Sequence, residues 1–229
     1  MKSLYAFLVL FAVATAGYGQ NQSNVSAGID VGTGFQQYAW GPSVLYHEEI
    51  GFNKAPWLKF GLGIRGWGYY GGRTNLFTKD ENNYLEYGDV SANGLSFVIG
   101  ANISFWRIDL GVNTDLAGLS FGSKRHGYYE KTTTAPGIGE PYYNTWLATS
   151  PVLVNALPLA LKNYNGQSEA YARIHITRNI GIKLGYVYGQ IAYATKKIDG
   201  NKVLLDDRQR RFYNTYGMPY AALSFAISD

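Results

Sequence analysis

The sequence contains no cysteine. Disulfides, thiolate metal sites, a cysteine nucleophile and a lipid anchor on a cysteine are therefore excluded. Long apolar runs are missing too, because the most apolar stretch, Leu4–Val13, is shorter than the roughly 20 residues that a membrane-spanning helix needs. The chain must be held together by other means than covalent cross-links.

Charged residues are also scarce, at 16% of the chain, and the formal net charge is only +4. A charge this small and this dispersed predicts no binding of nucleic acid. Glycine and tyrosine, in contrast, are abundant, with 28 and 20 residues. This balance is unusual for a soluble globular domain and is typical of a glycine- and tyrosine-rich β structure.

The start of the chain, Met1–Gly19, is predicted to be a secretory signal peptide. Lys2 supplies the positive charge, Leu4–Val13 the apolar segment, and small residues follow where cleavage is expected. The remainder, residues 20–229, is about 210 residues long, which fits a single domain.

Apolar residues alternate with small or polar residues over much of this domain, and this period of two predicts β-strands. The alternation is clearest in the hairpin Ser168–Tyr193, whose two arms meet at Arg178-Asn179. The other predicted strands are Val25–Gln36, Ser43–Phe52, Trp57–Tyr70, Gly94–Phe105, Arg107–Phe121 and Met218–Ser228. In Ser43–Phe52 the pattern is ambiguous, since Glu48 and Glu49 are adjacent and one of them must face the apolar side.

The connections between these eight strands alternate in length. Tight turns are expected at Asn53–Pro56, around Trp106 and at Arg178-Asn179. Longer segments are Gln37–Pro42, Gly71–Ala92, Gly122–Gln167 and Thr195–Gly217. Short turns on one rim and long loops on the other predict an all-β fold, an eight-stranded antiparallel up-and-down transmembrane β-barrel with short periplasmic turns and longer extracellular loops.

Alternation alone leaves open which face points outward, because a soluble eight-stranded barrel has the same period with its apolar face inside. The polar face is rich in glycine, as at Gly61, Gly63, Gly181 and Gly185. Glycine makes room where backbones converge inside a narrow barrel and has little value on a solvated exterior. We therefore predict that the polar face lines the interior.

The charges on the polar face nearly balance. The acidic residues are Asp30, Glu49, Asp109, Asp115 and Glu169, and the basic ones are Lys59, Arg65, Arg107, Arg173 and Lys183, with His175 as a further member. Buried charges are tolerated when they are paired and hydrogen-bonded to one another. We expect these residues to form one network inside the barrel.

Aromatic residues are expected to mark the two membrane interfaces. Near the tight turns these are Trp57, Phe105 and Trp106; toward the loops they are Trp40, Trp67, Tyr69, Tyr70, Tyr186, Tyr188, Phe212, Tyr213 and Tyr216. The alternative is that aromatic residues are frequent here because they favour strands.

Taken together, the signal peptide, the eight alternating segments, the rhythm of the connections and the apolar last strand resemble the small outer-membrane β-barrel proteins of Gram-negative bacteria, of the OmpA transmembrane-domain type. The resemblance is one of pattern and covers nearly the whole mature chain. It implies export, an outer-membrane location among outer-membrane lipids, and insertion by the barrel assembly machinery, which reads the terminal strand. Family members commonly end in an aromatic residue, whereas here Phe225 precedes Ile227 and two further residues.

Two loops have features of interaction surfaces. The segment 122–167 combines basic and aromatic residues with an apolar stretch, Leu147–Leu161, interrupted by two prolines. It is expected either to fold over the barrel mouth as a cap or to offer a surface to a lipid, protein or other ligand. The last loop carries basic residues that either contact lipopolysaccharide phosphates or are simply solvated. These residues are Lys196, Lys197, Lys202, Arg208, Arg210 and Arg211.

No catalytic, cofactor-binding or metal-binding residue is predicted. His175 and Thr177 lie two residues apart, a spacing similar to that of a His–Ser pair in outer-membrane lipid A deacylases, but the pair sits at a tight turn on the periplasmic side. The sequence therefore favours a non-enzymatic barrel with a closed, charge-paired interior, which supports outer-membrane integrity or surface interaction. The alternatives are a lipid-modifying enzyme and, less favoured, a narrow diffusion channel, although eight strands enclose little more than their own side chains.

Overall fold

The computed structural model describes residues 25–81, 83–131 and 137–228. The predicted signal peptide, Met1–Gly19, lies outside the described residues, as does part of the long loop, 132–136. The described chain is all-β, with two short 3₁₀ turns at Glu140–Tyr142 and Asp206–Arg208. It contains no helix long and apolar enough to cross a bilayer.

The described residues form fifteen strands. Eight are long: β1 Val25–Gln36, β2 Ala39–Phe52, β3 Ala55–Gly71, β6 Val90–Phe105, β7 Ile108–Phe121, β11 Gly166–His175, β12 Ile180–Thr195 and β15 Arg211–Ser228. Seven are short: β4 Thr74–Phe77, β5 Tyr84–Tyr87, β8 Arg125–Glu130, β9 Trp146–Pro151, β10 Val154–Ala156, β13 Lys197–Ile198 and β14 Asn201–Lys202. The predicted strand count of eight was therefore too low. The eight predicted segments correspond to the long strands, and the short strands lie in the loops, where the alternation is too brief to be recognised.

The long strands form a closed antiparallel ring. Each pairs with the next one, and β15 closes the ring by pairing with both β12 and β1. We call this the long-strand ring. Its tight turns are 53–54, 106–107 and 176–179, all at one end. At the other end, the predicted loop Gln37–Pro42 is a two-residue turn, because β2 begins at Ala39.

Four of the short strands build a second ring on the loop end. β4, β5, β8 and β9 pair in that order, and they join the upper ends of β15 and β12, which pair with each other. We call these six strands the cap. Its interior is apolar and aromatic, with Leu76, Leu85, Tyr87, Tyr129 and Phe212 completely buried. The long loop is thus folded against the rest of the molecule.

The long-strand ring has an inverted polarity relative to a water-soluble protein, because its apolar side chains face outward and its charged side chains face inward. Outward-facing apolar residues are widely exposed, for example Leu62 (52%), Leu110 (58%) and Leu184 (50%), whereas inward-facing Lys183 is completely buried. On β7 the outward-facing residues have even numbers up to a bulge opposite Phe97 and Val98. The bulge shifts the alternation by one residue, so Ala117 and Leu119 face outward beyond it.

Several aromatic residues predicted for the outer belt instead lie inside. Trp67, Tyr69, Phe212 and Tyr216 are buried in the core near the loop end, where Tyr69 and Tyr216 stack with ring centroids 4.1 Å apart. Gly94 faces the Trp67 indole so closely that a Cβ atom there would overlap the ring. This aromatic layer lies above the polar interior and separates it from the loop end.

Candidate functional site

A network of charged side chains fills the tight-turn half of the long-strand ring, and Arg173 on β11 is its first centre. Its Nη1 contacts carboxylate oxygens of Glu49 and Asp109 at 3.1 and 3.2 Å, and its Nη2 lies 3.7 Å from Asp30. His175 contacts Asp109 through Nε2 at 2.8 Å. Apart from His175, whose side chain is about one third exposed, these groups are buried.

Arg65 on β3 is the second centre, closer to the loop end. Its Nη1 donates to Asp115 at 3.0 Å, and its Nη2 contacts Glu169 at 3.3 Å and the amide oxygen of Asn113. Asp115 also accepts hydrogen bonds from Ser96 and from the Gln167 backbone amide, both at 3.0 Å. Arg65 and Asp115 are fully buried, so these contacts replace the water that both charges lose.

Lys183 on β12 joins the two centres. Its Nζ lies 2.8 Å from Asp30 and 2.9 Å from Glu169, and 4.0 Å from the centre of the Tyr171 ring. Through Lys183 the carboxylates around Arg173 and those around Arg65 belong to one hydrogen-bonded assembly. Side chains from β1, β2, β3, β7, β11 and β12 take part.

His47 belongs to this network although it was not among the predicted members. Its Nδ1 lies 3.2 Å from Glu49, and its Nε2 lies 3.5 Å from Asp30 and 3.2 Å from Arg173. Because the sequence left open whether Glu48 or Glu49 faces inward, it did not assign His47 to the interior. The structure directs Glu49 and His47 inward and Glu48 outward, so the parity of β2 was the signal that could have identified His47.

Two residues that were predicted for the charge network lie at its edge or outside it. Arg107 was expected in the network, but it is exposed in the tight turn before β7, with its guanidinium 5.5 Å from the Trp106 ring centre. A turn residue is not bound by the alternation of the strand that follows it, so its parity was misleading. Lys59 is half-buried and lines a cavity at the tight-turn end.

In the network, the buried carboxylates outnumber the buried permanent cations. Five carboxylates, from Asp30, Glu49, Asp109, Asp115 and Glu169, face only three permanent cations, from Arg65, Arg173 and Lys183. His47 and His175 each contact a carboxylate of this set. Chemically, this is an arrangement that fixes side chains and fills space.

The described residues contain no group of three or more His, Asp or Glu side chains that could hold a metal ion. His175 and Thr177 are engaged separately: the Thr177 hydroxyl accepts hydrogen bonds from the backbone amides of Asn179 and Ile180. The cavity beside them measures about 100 Å³ and is lined by His47, Lys59, Arg173 and His175, among others. It opens toward the tight-turn end.

In the cap, Asp206 ties the last loop to the long loop. Its carboxylate accepts hydrogen bonds from the hydroxyls of Tyr143 (2.7 Å) and Tyr129 (3.1 Å) and from the Gly139 amide (3.0 Å). Burial would raise the pKa of Asp206, but these hydrogen bonds outweigh it, so its pKa is lower than usual. The two loops are thus joined by a charge-assisted contact.

The predicted lipopolysaccharide contacts lie around the outer end of β12 and β15. Lys197 and Lys202 are cross-strand neighbours on the exposed hairpin β13–β14, and Arg208 is exposed nearby. The other three are half-buried. Arg210 donates to the Thr195 carbonyl, Arg211 stacks 4.9 Å from the Tyr164 ring centre, and Lys196 donates its backbone amide to Ala148.

Comparison with known proteins adds little to this picture. No protein-family model matches the chain, and no curated protein matches its sequence. Among solved structures, the chain is similar to Neisserial surface protein A at 10% sequence identity and a TM-score of 0.32, over 88% of this chain and 94% of that one. A similarity this low carries no argument about fold or function, so both depend on the contacts described above.

Proposed function

We propose that this chain is an outer-membrane β-barrel protein of a Gram-negative bacterium, whose eight long strands span the membrane. The inverted polarity of the long-strand ring carries the proposal. Water-soluble monomers rarely expose apolar patches larger than a few hundred Å². Here all eight long strands direct apolar side chains outward, while charged side chains fill the interior.

The dimensions of the strands support the same proposal. A strand tilted in a bilayer needs about 9–11 residues to cross it. The long strands have 10 to 18 residues. Phe105 and Trp106 are exposed at the tight-turn end, and Trp40 and Tyr186 are exposed toward the loop end, as expected of residues at the two interfaces.

Within the membrane, the protein acts as a closed barrel without catalytic activity, which supports envelope integrity or presents its cap to a surface partner. The charge network bridges the interior, and the aromatic layer of Trp67, Tyr69 and Tyr216 lies between it and the loop end. Because each buried charge has a partner, opening a water-filled path would require several ion pairs to be separated together.

The remaining expectations complete this proposal. Export uses the signal peptide Met1–Gly19, and insertion uses the barrel assembly machinery. At the outer rim, Lys197, Lys202 and Arg208, which are exposed, bind lipopolysaccharide phosphates in this proposal.

Four measurements test this function. We expect the protein to fractionate with the outer membrane, to need detergent or lipid after purification, and to migrate differently on gels before and after boiling. In planar bilayers we expect no stable discrete conductance. A refolded chain that is monomeric in water without detergent would contradict the membrane location, and regular single-channel openings would contradict the closed interior.

A further inference from the structure

Each of the three tight turns of the long-strand ring contains one basic residue and no acidic residue. These residues are Lys54 in 53–54, Arg107 in 106–107 and Arg178 in 176–179. All three side chains are exposed. In the part of the chain that the structure describes, none of them has an acidic partner within 4.0 Å.

The loop end has a different charge pattern. The segments 72–89, 122–165 and 196–210 together contain 11 basic and 9 acidic residues. Some of these charges are paired, as between Arg125 and Asp89 at 2.8 Å. Among the described residues, acidic side chains thus accompany the basic ones at the loop end, whereas the three tight turns contain basic residues without acidic ones.

Backbone contacts hold this rim in a defined shape. The Arg107 carbonyl accepts the His175 amide at 2.8 Å, and the Asn179 carbonyl accepts the Ala226 amide at 3.0 Å. The Thr177 hydroxyl closes the turn that presents Arg178. The turns at 106–107 and 176–179 are consequently tied to β11 and β15 rather than projecting as separate loops.

Exposed aromatic side chains lie beside Arg107. Trp106 (88% exposed) and Phe105 (78% exposed) point away from the ring, and the Arg107 guanidinium lies over Trp106. Exposed aromatic side chains of a membrane protein settle at the level of the lipid headgroups. The cations of the rim would then lie at the level of the headgroup phosphates.

We propose that the tight-turn rim binds the headgroups of anionic phospholipids in the adjacent leaflet. This inference rests on the proposed function, because only a membrane-spanning ring brings the rim to a lipid surface. Guanidinium groups bind phosphate with two parallel hydrogen bonds, and basic residues near an anionic surface are attracted to it individually. The rim should therefore select anionic lipids over zwitterionic lipids, since zwitterionic headgroups carry no net charge.

The test compares lipid selectivity in reconstituted vesicles of phosphatidylcholine. Electron spin resonance with spin-labelled phosphatidylglycerol or phosphatidylcholine gives the relative association of each lipid with the protein. We expect phosphatidylglycerol to be preferred by roughly three- to tenfold, and added salt to reduce this preference. The triple variant K54Q/R107Q/R178Q should lower the ratio to nearly one.

A matched variant at the loop end, K79Q/K124Q/K162Q, removes three exposed basic residues as well and should keep the preference. Equal association of both lipids with the unaltered protein, preference retained in the rim variant, or preference lost in the loop-end variant would each overturn the proposal. Vesicle flotation separates this result from the proposed function. A protein that does not float with vesicles refutes membrane insertion, whereas one that floats without selectivity refutes only the headgroup site.

Discussion

The long-strand ring and the cap share β12 and β15 but have opposite interiors. On the inward face of β12, Lys183 belongs to the charge network, whereas Ile191 and Tyr193 belong to the apolar core of the cap. On the outer faces the contrast is reversed, with an apolar residue on the ring and a polar residue on the cap. Leu184 is exposed on the ring, and Glu130 is exposed on the outside of the cap.

Under the proposed membrane location, this difference follows from the medium outside a closed sheet, which decides what can be placed inside it. Where water surrounds the sheet, apolar burial drives folding and the interior is apolar. Where lipid surrounds it, apolar side chains lose nothing by facing outward, and the interior can contain charges that neutralise one another. Under the proposed membrane location, the change on β12 between Lys183 and Ile191 marks where the strand leaves the membrane.

The largest expected effect comes from removing the cation that joins the two halves of the network. The substitution Lys183→Met leaves the carboxylates of Asp30 and Glu169 without their nearest cation and should lower the free energy of unfolding by about 3–5 kcal/mol. Urea unfolding in lipid vesicles measures it, with the exposed Lys202→Met as control. If both variants were equally stable, the ring interior would be hydrated rather than charge-paired.

The cap should respond to loss of apolar volume. Leu85 is completely buried, and Leu85→Ala should cost about 2–5 kcal/mol because a cavity replaces the side chain. We expect the loss to remain local, so hydrogen exchange should accelerate in β5 and β8 and stay unchanged in β1 and β2. Leu159→Ala, at an exposed position of the long loop, is the control. Faster exchange throughout both rings would mean that they unfold as one unit.

A smaller effect is expected at the contact between the two cap loops. Asp206→Asn replaces a charged acceptor of three hydrogen bonds and should destabilise the cap by about 1.5–3 kcal/mol. Because the folded pKa of Asp206 is lowered, its contribution is present above the unfolded pKa of about 4 and is lost as the pH falls through the folded value.

Hydrogen exchange of the Gly139 amide should report directly on the contact between this amide and the Asp206 carboxylate. In the unaltered protein the amide should be protected at neutral pH and lose protection below about pH 4, whereas in Asp206→Asn it should be unprotected throughout. Protection in the variant equal to that of the unaltered protein would show that the carboxylate does not hold the loops together.

The strands of the ring were predictable because each long strand has one face in each environment. The hairpin of β11 and β12 shows this best, since the alternation of Glu169, Arg173 and Lys183 with apolar residues matches the faces that the structure gives them. Phase changes were not predictable. The bulge on β7 shifts the alternation by one residue, and no residue type in it announces the shift.

The cap could not be predicted for a different reason. Its four short strands are four to six residues long and include partners far apart in sequence, as β5 and β8 are. A pattern of period two is hard to recognise over so few residues, and aromatic residues such as Trp67 fit both an outer belt and a buried layer. The choice between the outer belt and the buried layer depends on the closure of the second ring, which the sequence does not reveal.

Two matched tyrosine–glutamate pairs allow the finest test of the comparison. On the outer face of the ring, the Tyr46 hydroxyl donates to Glu48 at 2.6 Å, and on the outer face of the cap, the Tyr84 hydroxyl donates to Glu130 at 2.6 Å. The chemistry is the same, and the proposed surroundings are lipid for the first pair and water for the second.

Replacing both partners by apolar residues should therefore act differently at the two sites. We expect Y46F/E48L to raise the free energy of unfolding in vesicles by about 1 kcal/mol, because an acidic group no longer faces hydrocarbon. Y84F/E130L should change it by less than about 0.5 kcal/mol, since exposed contacts contribute little. Urea midpoints measured in the same vesicles compare the two variants. A Y46F/E48L variant no more stable than Y84F/E130L would mean that water, not lipid, covers the outside of β2, and the contrast between ring and cap would lose its physical basis.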